Sequence, residues 1–384
     1  MTNPGLYAPG VRITEGPVGG RPGSGTGVSV AAFIGRLSEA VAGLTLVHSW
    51  SEFQTLYPQT STPSGPARWF PLAVRGFFAN GGRACYIAPI SGDYLEQVEE
   101  HLDALAAEEV GMIVVPDLFD PELGLDEEGQ TSVRTAVAEH CSGLGNRMAI
   151  LDTPKALIPG AAQGFAEQVA EELDDSAPFA TLYYPWLTVP GLTAGTTEEI
   201  PPCGHIAGAW ARNDALRGVH KAPANLTLLE VLGLAWDLID DEHAPLHVAG
   251  VDCVRLLPGK GRTIWGARTL SSDPHWWQIN VRRVVNAITE DIRATTRWVT
   301  ARQELHTQEL RGIVTNDVTA VLMDWWRRGA LKGTKPSEAF KVTCDVSNNP
   351  SPLDFDTLHV DVEVAPVHPA EFITIRVSQI RTQN

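Results

Sequence analysis

No run of about 18 consecutive apolar residues occurs in the 384-residue chain, so no membrane-spanning helix is expected. The first 27 residues have neither a basic start nor an apolar stretch, so no secretory leader is visible and the protein is expected to begin life in the cytoplasm. Cysteine is scarce. The five thiols, Cys85, Cys141, Cys203, Cys253 and Cys344, are odd in number, widely scattered and never in a CxxC pair. That pattern excludes a disulfide framework and a paired-thiolate zinc site and points to buried thiols. Basic residues are also in deficit, 29 Lys and Arg against 46 Asp and Glu, for a net charge of -17. The deficit is uneven: residues 1–254 hold 12 basic against 32 acidic residues, and residues 255–384 hold 17 against 14. An acidic field of this size repels phosphates, so nucleic acid is not expected as a partner, whereas the mildly basic last third suits an acidic protein surface.

Catalytic signatures are missing as well. No GxSxG nucleophile elbow occurs, and neither Cys141 nor Cys203 has an evident histidine partner in the sequence. Gly23, Gly25 and Gly27 resemble a phosphate loop but precede the first strand and lead into no helix, so they read as a joint in an extended arm. Gly259, Lys260 and Gly261 lack the GK[ST] ending of a P-loop and read as a tight turn. Asp240, Asp241, Glu242, His243 and His247 form the one metal-like cluster, but Pro245 between the histidines should break the helix that would align them. The expectation is a charged loop following a helix over Leu228–Ile239, with no metal and no cofactor.

What is present is an ordinary globular composition, 43% hydrophobic and 20% charged, in a chain long enough for two cores. Residues 1–27, rich in Gly and Pro, form an extended N-terminal arm, with Val11 and Ile13 in a short alternating piece. Buried strands are expected over Val28–Ile34, Cys85–Ile90, Met112–Val115, Met148–Leu151 and Ala180–Val189. Helical spacing of apolar residues lies between them, over Ala67–Phe78, Leu95–Ala107, Thr131–Cys141, Phe165–Leu173 and Ile206–Leu216. Alternating strands and helices predict an α/β body with a mainly parallel sheet over residues 28–260.

After residue 260 the texture changes. Ser272-Asp273-Pro274 signals the start of a long amphipathic helix carrying Trp277, Val281, Val284, Val285, Ile288 and Ile292. Asn316 or Asp317 should cap a second helix that ends at Gly329, with Arg327 and Arg328 in its last turn. The paired tryptophans, Trp276-Trp277 and Trp325-Trp326, predict interface at one end of this unit and core at the other. A strand over Phe340–Asp345 completes an α+β unit, residues 261–357. In the last segment, 358–384, Leu358, Val360, Val362 and Val364 alternate with polar residues, and Ile373, Ile375 and Val377 repeat the pattern after a break at Ala365–Pro369. Strands at a chain terminus must be covered by their own domain or paired with another molecule.

Several stretches resemble one family, the contractile tail sheath proteins of phages, R-type pyocins and extracellular contractile injection systems. They are Pro9-Gly10-Val11 leading to Glu15, Thr26–Gly35, Asn80–Tyr86, Gly218–Asn225, Trp265–Thr269, Ile279–Arg283, Gly329–Gly333, Glu338–Val342 and Ala365–Ile373. Thr300-Ala301-Arg302-Gln303 departs from the Phe-Glu-Pro-Asn-like segment of many sheaths, and residues 91–200 carry no comparable stretch, as for a variable, outward-facing part. The resemblance implies a C-terminal sheath domain of handshake type whose arms add strands to neighbouring subunits through Val11, Ile13, Leu358, Val360, Val362, Val364, Ile373, Ile375 and Val377. It further implies a helical homo-oligomer of hexameric discs around an inner tube protein, with baseplate and cap proteins as further partners and no insertion into membranes. Arg327 and Arg328 are candidate inner-tube contacts. Such a protein assembles in the bacterial cytoplasm, as part of a phage tail or of a phage-tail-like particle that is released. A soluble α/β enzyme of unknown reaction is the competing reading.

Overall fold

A computed structural model describes residues 28–37, 43–58, 68–299, 307–349 and 358–369. The body runs β1 (Ala31–Arg36), β2 (Thr45–Val47), α1 (Trp50–Leu56), α2 (Trp69–Ala79), β3 (Cys85–Ile90), α3 (Tyr94–Leu105), β4 (Met112–Val114), α4 (Glu127–Leu144), β5 (Met148–Asp152), α5 (Pro159–Leu173) and β6 (Ala180–Tyr184). It continues through β7 (Leu187–Pro190), β8 (Thr197–Ile200), α6 (Cys203–Arg217), β9 (Leu226–Thr227), β10 (Gly233–Leu234), α7 (Asp240–Val248), β11 (Val251–Leu257) and β12 (Gly261–Trp265). A nine-stranded sheet results, in the order β2-β3-β1-β4-β5-β6-β11-β12-β9, parallel from β3 to β11 and antiparallel at both margins.

Its strands are apolar on both faces because both are covered. Ala31, Phe33, Met112, Val114, Met148 and Ile150 meet Phe70, Val74 and Phe77 of α2 and Ile206 and Trp210 of α6. Ala32, Ile34, Ile113, Ala149 and Leu151 meet Val98 and Leu102 of α3, Val133 and Val137 of α4 and Val169 of α5 on the opposite side. The α2–α6 crossing is close enough that a Cβ at Gly208 would come within 2.3 Å of the Phe77 carbonyl oxygen.

A smaller unit follows: α8 (Ile279–Thr296), α9 (Gln308–Arg327), α10 (Pro336–Ala339), β13 (Phe340–Thr343) and β14 (Asp361–Val364). The two strands pair antiparallel, Val342 opposite Val362 and Phe340 opposite Val364. Their inner faces share a cluster with Val284, Ile288 and Ile292 of α8 and Val314, Val318, Leu322 and Trp325 of α9. A sheet of two four-residue strands is marginal by itself, and this helix pair supplies its buried face.

Several expectations need correction. Leu228–Ile239 is not a helix; it is an irregular segment interrupted only by the two-residue strand β10, and Leu229 and Leu232 are exposed, so helical spacing there had no core to face. Pro245 lies inside α7 rather than ending it, since a nine-residue helix loses only one internal hydrogen bond to it. The run Ala180–Val189 divides at Pro185 into β6, in the large sheet, and β7, in a separate sheet ordered β10-β7-β8. Asp273 caps a local turn, accepting from the His275 amide at 2.9 Å, and α8 starts only at Ile279, with Trp277 outside it. Helix α9 begins at Gln308, capped by Thr307, whose hydroxyl accepts from the Leu310 amide; Asp317 lies mid-helix and accepts from the Trp298 indole.

Candidate assembly site

Helix α8 reads as amphipathic, yet its polar face is buried too: Asn280, Arg282, Arg283, Asn286 and Thr289 are all below a tenth exposed. Asn280, Arg282, Arg283 and Asn286 each find a partner in the body. The Asn286 amide donates to the Arg147 carbonyl at 3.2 Å, and the Arg147 guanidinium in turn donates to the carbonyls of Leu105 and Glu108 at 2.9 and 3.1 Å. Arg282 lies between the rings of Phe179 and Trp276, 4.3 and 4.2 Å from their centroids. Arg283 forms a bidentate pair with Asp214 of α6 and stands 4.7 Å over Trp210. A helix whose first three turns, residues 279–289, are buried all round and tied by charge-assisted bonds joins two units more rigidly than an apolar stripe alone would.

The same helix holds both ends of the described chain. Arg283 donates to the carbonyl of Val28 at 3.0 Å, and the Ser29 hydroxyl donates to Asp214 at 3.1 Å. The Asn280 amide donates to the carbonyls of His220 and Val367, at 3.2 and 3.0 Å. Val367 donates to the Ala330 carbonyl at 3.1 Å, and Lys332 to that of Ala365 at 2.8 Å. Parts of the stretches Thr26–Gly35, Gly218–Asn225, Ile279–Arg283, Gly329–Gly333 and Ala365–Ile373, scattered in sequence, thus converge on one junction. Its one local sequence signal was the adjacent pair Arg282-Arg283, set between apolar neighbours in an amphipathic helix.

Of the residues expected to link subunits, Leu358, Val360, Val362 and Val364 turn inward onto α8 and α9 while His359, Asp361 and Glu363 are exposed, as the alternation requires. One edge of β14 is occupied by β13 of the same chain. Val11, Ile13, Ile373, Ile375 and Val377 lie outside the described residues, as do Gly23, Gly25 and Gly27. Arg327 and Arg328 are both exposed at the end of α9; Arg328 pairs with Asp324 at 2.5 Å and lies 5.7 Å over Trp325. Trp325 is core, its indole donating to Asp291 at 2.8 Å, and Trp326 is half-buried, donating to the Gly333 carbonyl. At the other end Trp276 and Trp277 are half-buried, and Trp277 covers the Arg268 guanidinium.

A doubly wound sheet binds ligands where the strand order reverses, here at the carboxyl ends of β1 and β4. That position is filled from within. Asp117 accepts from the Arg36 amide and the Tyr94 hydroxyl, each at 2.6 Å, and a Cβ on Gly35 would lie 2.5 Å from its Oδ1. Burial pushes the Asp117 carboxyl up to about 6, against the pull of those two donors. At the end of β5, Asp152 accepts from the Cys203 amide at 3.0 Å and is pushed up by burial to about 7. Burial drives the Cys203 thiol well above its ordinary range, the reverse of what a nucleophile needs. His243 and His247 do stack on α7, 5.7 Å apart, but no group of three ligating side chains suited to a metal occurs among the described residues. The open groove between α5 and α7, lined by Ile158, Trp236 and Pro245, has its Glu242 committed to the Trp236 indole and the Ile239 amide. No helix among the described residues is long and apolar enough to cross a membrane.

Comparison with known proteins gives two family matches, the phage tail sheath protein central domain over residues 92–270 and the phage tail sheath C-terminal domain over residues 271–380. The chain is similar to the tail sheath protein of Salmonella phage ViI, 27% identical over 154 residues, covering 39% of this chain and 23% of that one. Among solved structures it resembles the contracted helical sheath of the anti-feeding prophage, at 25% identity and a TM-score of 0.75, covering 99% of both chains. The contracted PVC sheath complex of an extracellular contractile injection system matches at 26% identity and a TM-score of 0.75, covering 98% of this chain and 99% of that one. The chain spans between 23% and 62% of the length of the curated relatives it matches. With both sheath domains matched in succession and the whole described fold shared with contractile sheaths, the chain belongs to the contractile tail sheath family.

Proposed function

We propose that the protein is the structural subunit of a contractile sheath, polymerising as a helical tube of six-subunit discs around an inner tube and shortening to drive that tube through a target envelope. The observation that carries this reading is the end-to-end similarity to two sheaths in their contracted state. In this reading residues 1–27 and 370–384 leave their own subunit and add strands to neighbours, and the small β13–β14 sheet, with an outer edge on each strand, receives them. Leu358–Val364 then serves as the anchored half of the linkage. The inner tube docks on the mildly basic C-terminal unit near Arg327 and Arg328, and baseplate and cap proteins close the ends. The protein works by assembly and not by catalysis, and the carboxylates and thiol at the sheet's carboxyl edge serve the fold.

Electron microscopy of the purified protein tests this directly, with long hollow tubes as the expected result. A variant lacking residues 1–20 should remain folded and monomeric; normal tubes from that variant would remove the N-terminal strand from the reading.

A further inference from the structure

Asn280 and Arg283 stand three residues apart on α8, within a single helical turn. One donates to the carbonyl of Val367, the other to the carbonyl of Val28. In chain order Val28 follows residues 1–27 directly, and Val367 stands three residues before 370–384. Both carbonyls lie outside the named strands, so neither contact serves a sheet ladder. Each root is held a second time: Ser29 by the Asp214 carboxylate that also pairs with Arg283, and Val367 by the Ala330 carbonyl.

We propose that this turn of α8 couples the two terminal segments, with Asn280 and Arg283 as positioning residues that transmit displacement of one root to the other. The inference deepens the proposed function and rests on its reading that the terminal segments join subunits. A continuous helix is stiff over one turn, about 5.4 Å, and a second short path runs beside it, from Ser29 through Asp214 of α6 to the His220 carbonyl and Asn280. Displacement of one root therefore reaches the other through α8 and the end of α6 without crossing the strands of the large sheet. Coupling of this kind is reciprocal, so loosening either root must loosen its counterpart.

Hydrogen exchange followed by mass spectrometry on the unassembled full-length chain tests the coupling. Asn280→Ala removes two donated hydrogen bonds, one of them to Val367. It should speed exchange roughly tenfold at Ala365 and Val367, whose amides donate to the carbonyls of Ala339 and Ala330, and several-fold at Gly111 and Met112, whose amides donate to the Val30 carbonyl. Ser29→Ala, at the opposite root, should raise exchange at Ala365 and Val367 by a smaller factor. Amides of β6 and β11, which do not bond to either root, should keep their rates in both variants, which separates coupling from general loosening. If each variant loosens only its own root, or if β6 and β11 loosen equally, the coupling is refuted. Should Asn280→Ala fail to fold, Asn280→Ser keeps a donor and should give the same two-root response at smaller size; a response at one root alone would again overturn the proposal. The readout needs no polymer. Tubes formed without residues 1–20 would therefore defeat the strand-exchange reading while leaving the coupling measurement intact.

Discussion

Arg283 and Asp214 meet as a two-bond pair, guanidinium nitrogens 2.8 and 2.6 Å from the carboxylate oxygens, with side chains only 1% and 6% exposed. The pair joins α8 to α6, and with Val28 and Ser29 it ties the start of β1 to both. Removing one partner leaves a buried charge uncompensated, at about 3–5 kcal/mol. Asp214→Ala should therefore lower unfolding free energy by that order in urea titrations. The double variant Asp214→Leu with Arg283→Met removes both charges and should recover most of the loss. It still lacks the donor to Val28, so it should fold well and yet form few tubes; abundant tubes would show that the Val28 contact is dispensable for assembly.

The two buried carboxylates at the sheet's carboxyl edge give the body a particular pH dependence. Asp117 and Asp152 sit at about 6 and about 7 in the folded chain, raised by burial, against about 3.9 when unfolded. A group whose folded value is raised contributes stability that is complete below its unfolded value and is lost as pH climbs through the folded one. The contribution of these two should therefore be full near pH 4 and fall steadily toward pH 7. Denaturation midpoints measured across that range should show Asp152→Asn with a shallower decline than the wild type, because the amide oxygen can still accept from the Cys203 amide without a charge to desolvate. Parallel profiles for the two proteins would mean that Asp152 does not titrate there.

Much of this sheet could be read from the sequence because its strands are doubly buried. Cys85–Ile90 and Met148–Leu151 are apolar throughout and bounded by polar turns, and they form β3 and β5 almost as expected. The alternation at Leu358–Val364 was legible for the opposite reason, one face being wet. Leu228–Ile239 misled because helical spacing cannot separate a helix from an irregular segment whose leucines are partly exposed, as Leu229 and Leu232 are. The junction on α8 was hidden because local pattern assigns Asn280, Arg282, Arg283 and Asn286 to solvent. Their partners, Val28, Arg147, Asp214 and Val367, lie between 69 and 255 residues away in sequence for the bonds of Arg283 to Asp214 and Val28, a separation that periodicity does not register.

Arg327 and Arg328 make separable contributions. Arg328 is engaged by Asp324 and the Trp325 ring, so part of its role is local support of the last turn of α9, where a cation also complements the helix dipole. Both are exposed, so charge reversal should cost well under 1 kcal/mol of stability. Arg327→Glu with Arg328→Glu should then polymerise but load little inner tube in co-expression. Filled particles at wild-type yield would place the tube contact elsewhere.

The β13–β14 pair carries the last prediction, that its strand linkages persist while the bodies rearrange during contraction. A net backbone hydrogen bond contributes about 0.5–1.5 kcal/mol, so a strand added through several such bonds with buried valines holds on the order of 5 kcal/mol. Releasing every linkage at once during firing would cost that amount at each subunit, which favours a mesh that stays paired while the bodies rotate. Val362 is the place to probe this. It faces the α8–α9 cluster and pairs across the sheet with Val342, so Val362→Asp sets a carboxylate against apolar neighbours and weakens the platform that incoming strands would join. The variant should form neither extended nor contracted tubes by electron microscopy, while its α/β body keeps a cooperative unfolding transition. If Val362→Asp builds extended tubes of normal length and fails only on contraction, the linkage is remade during firing and the persistent mesh is wrong.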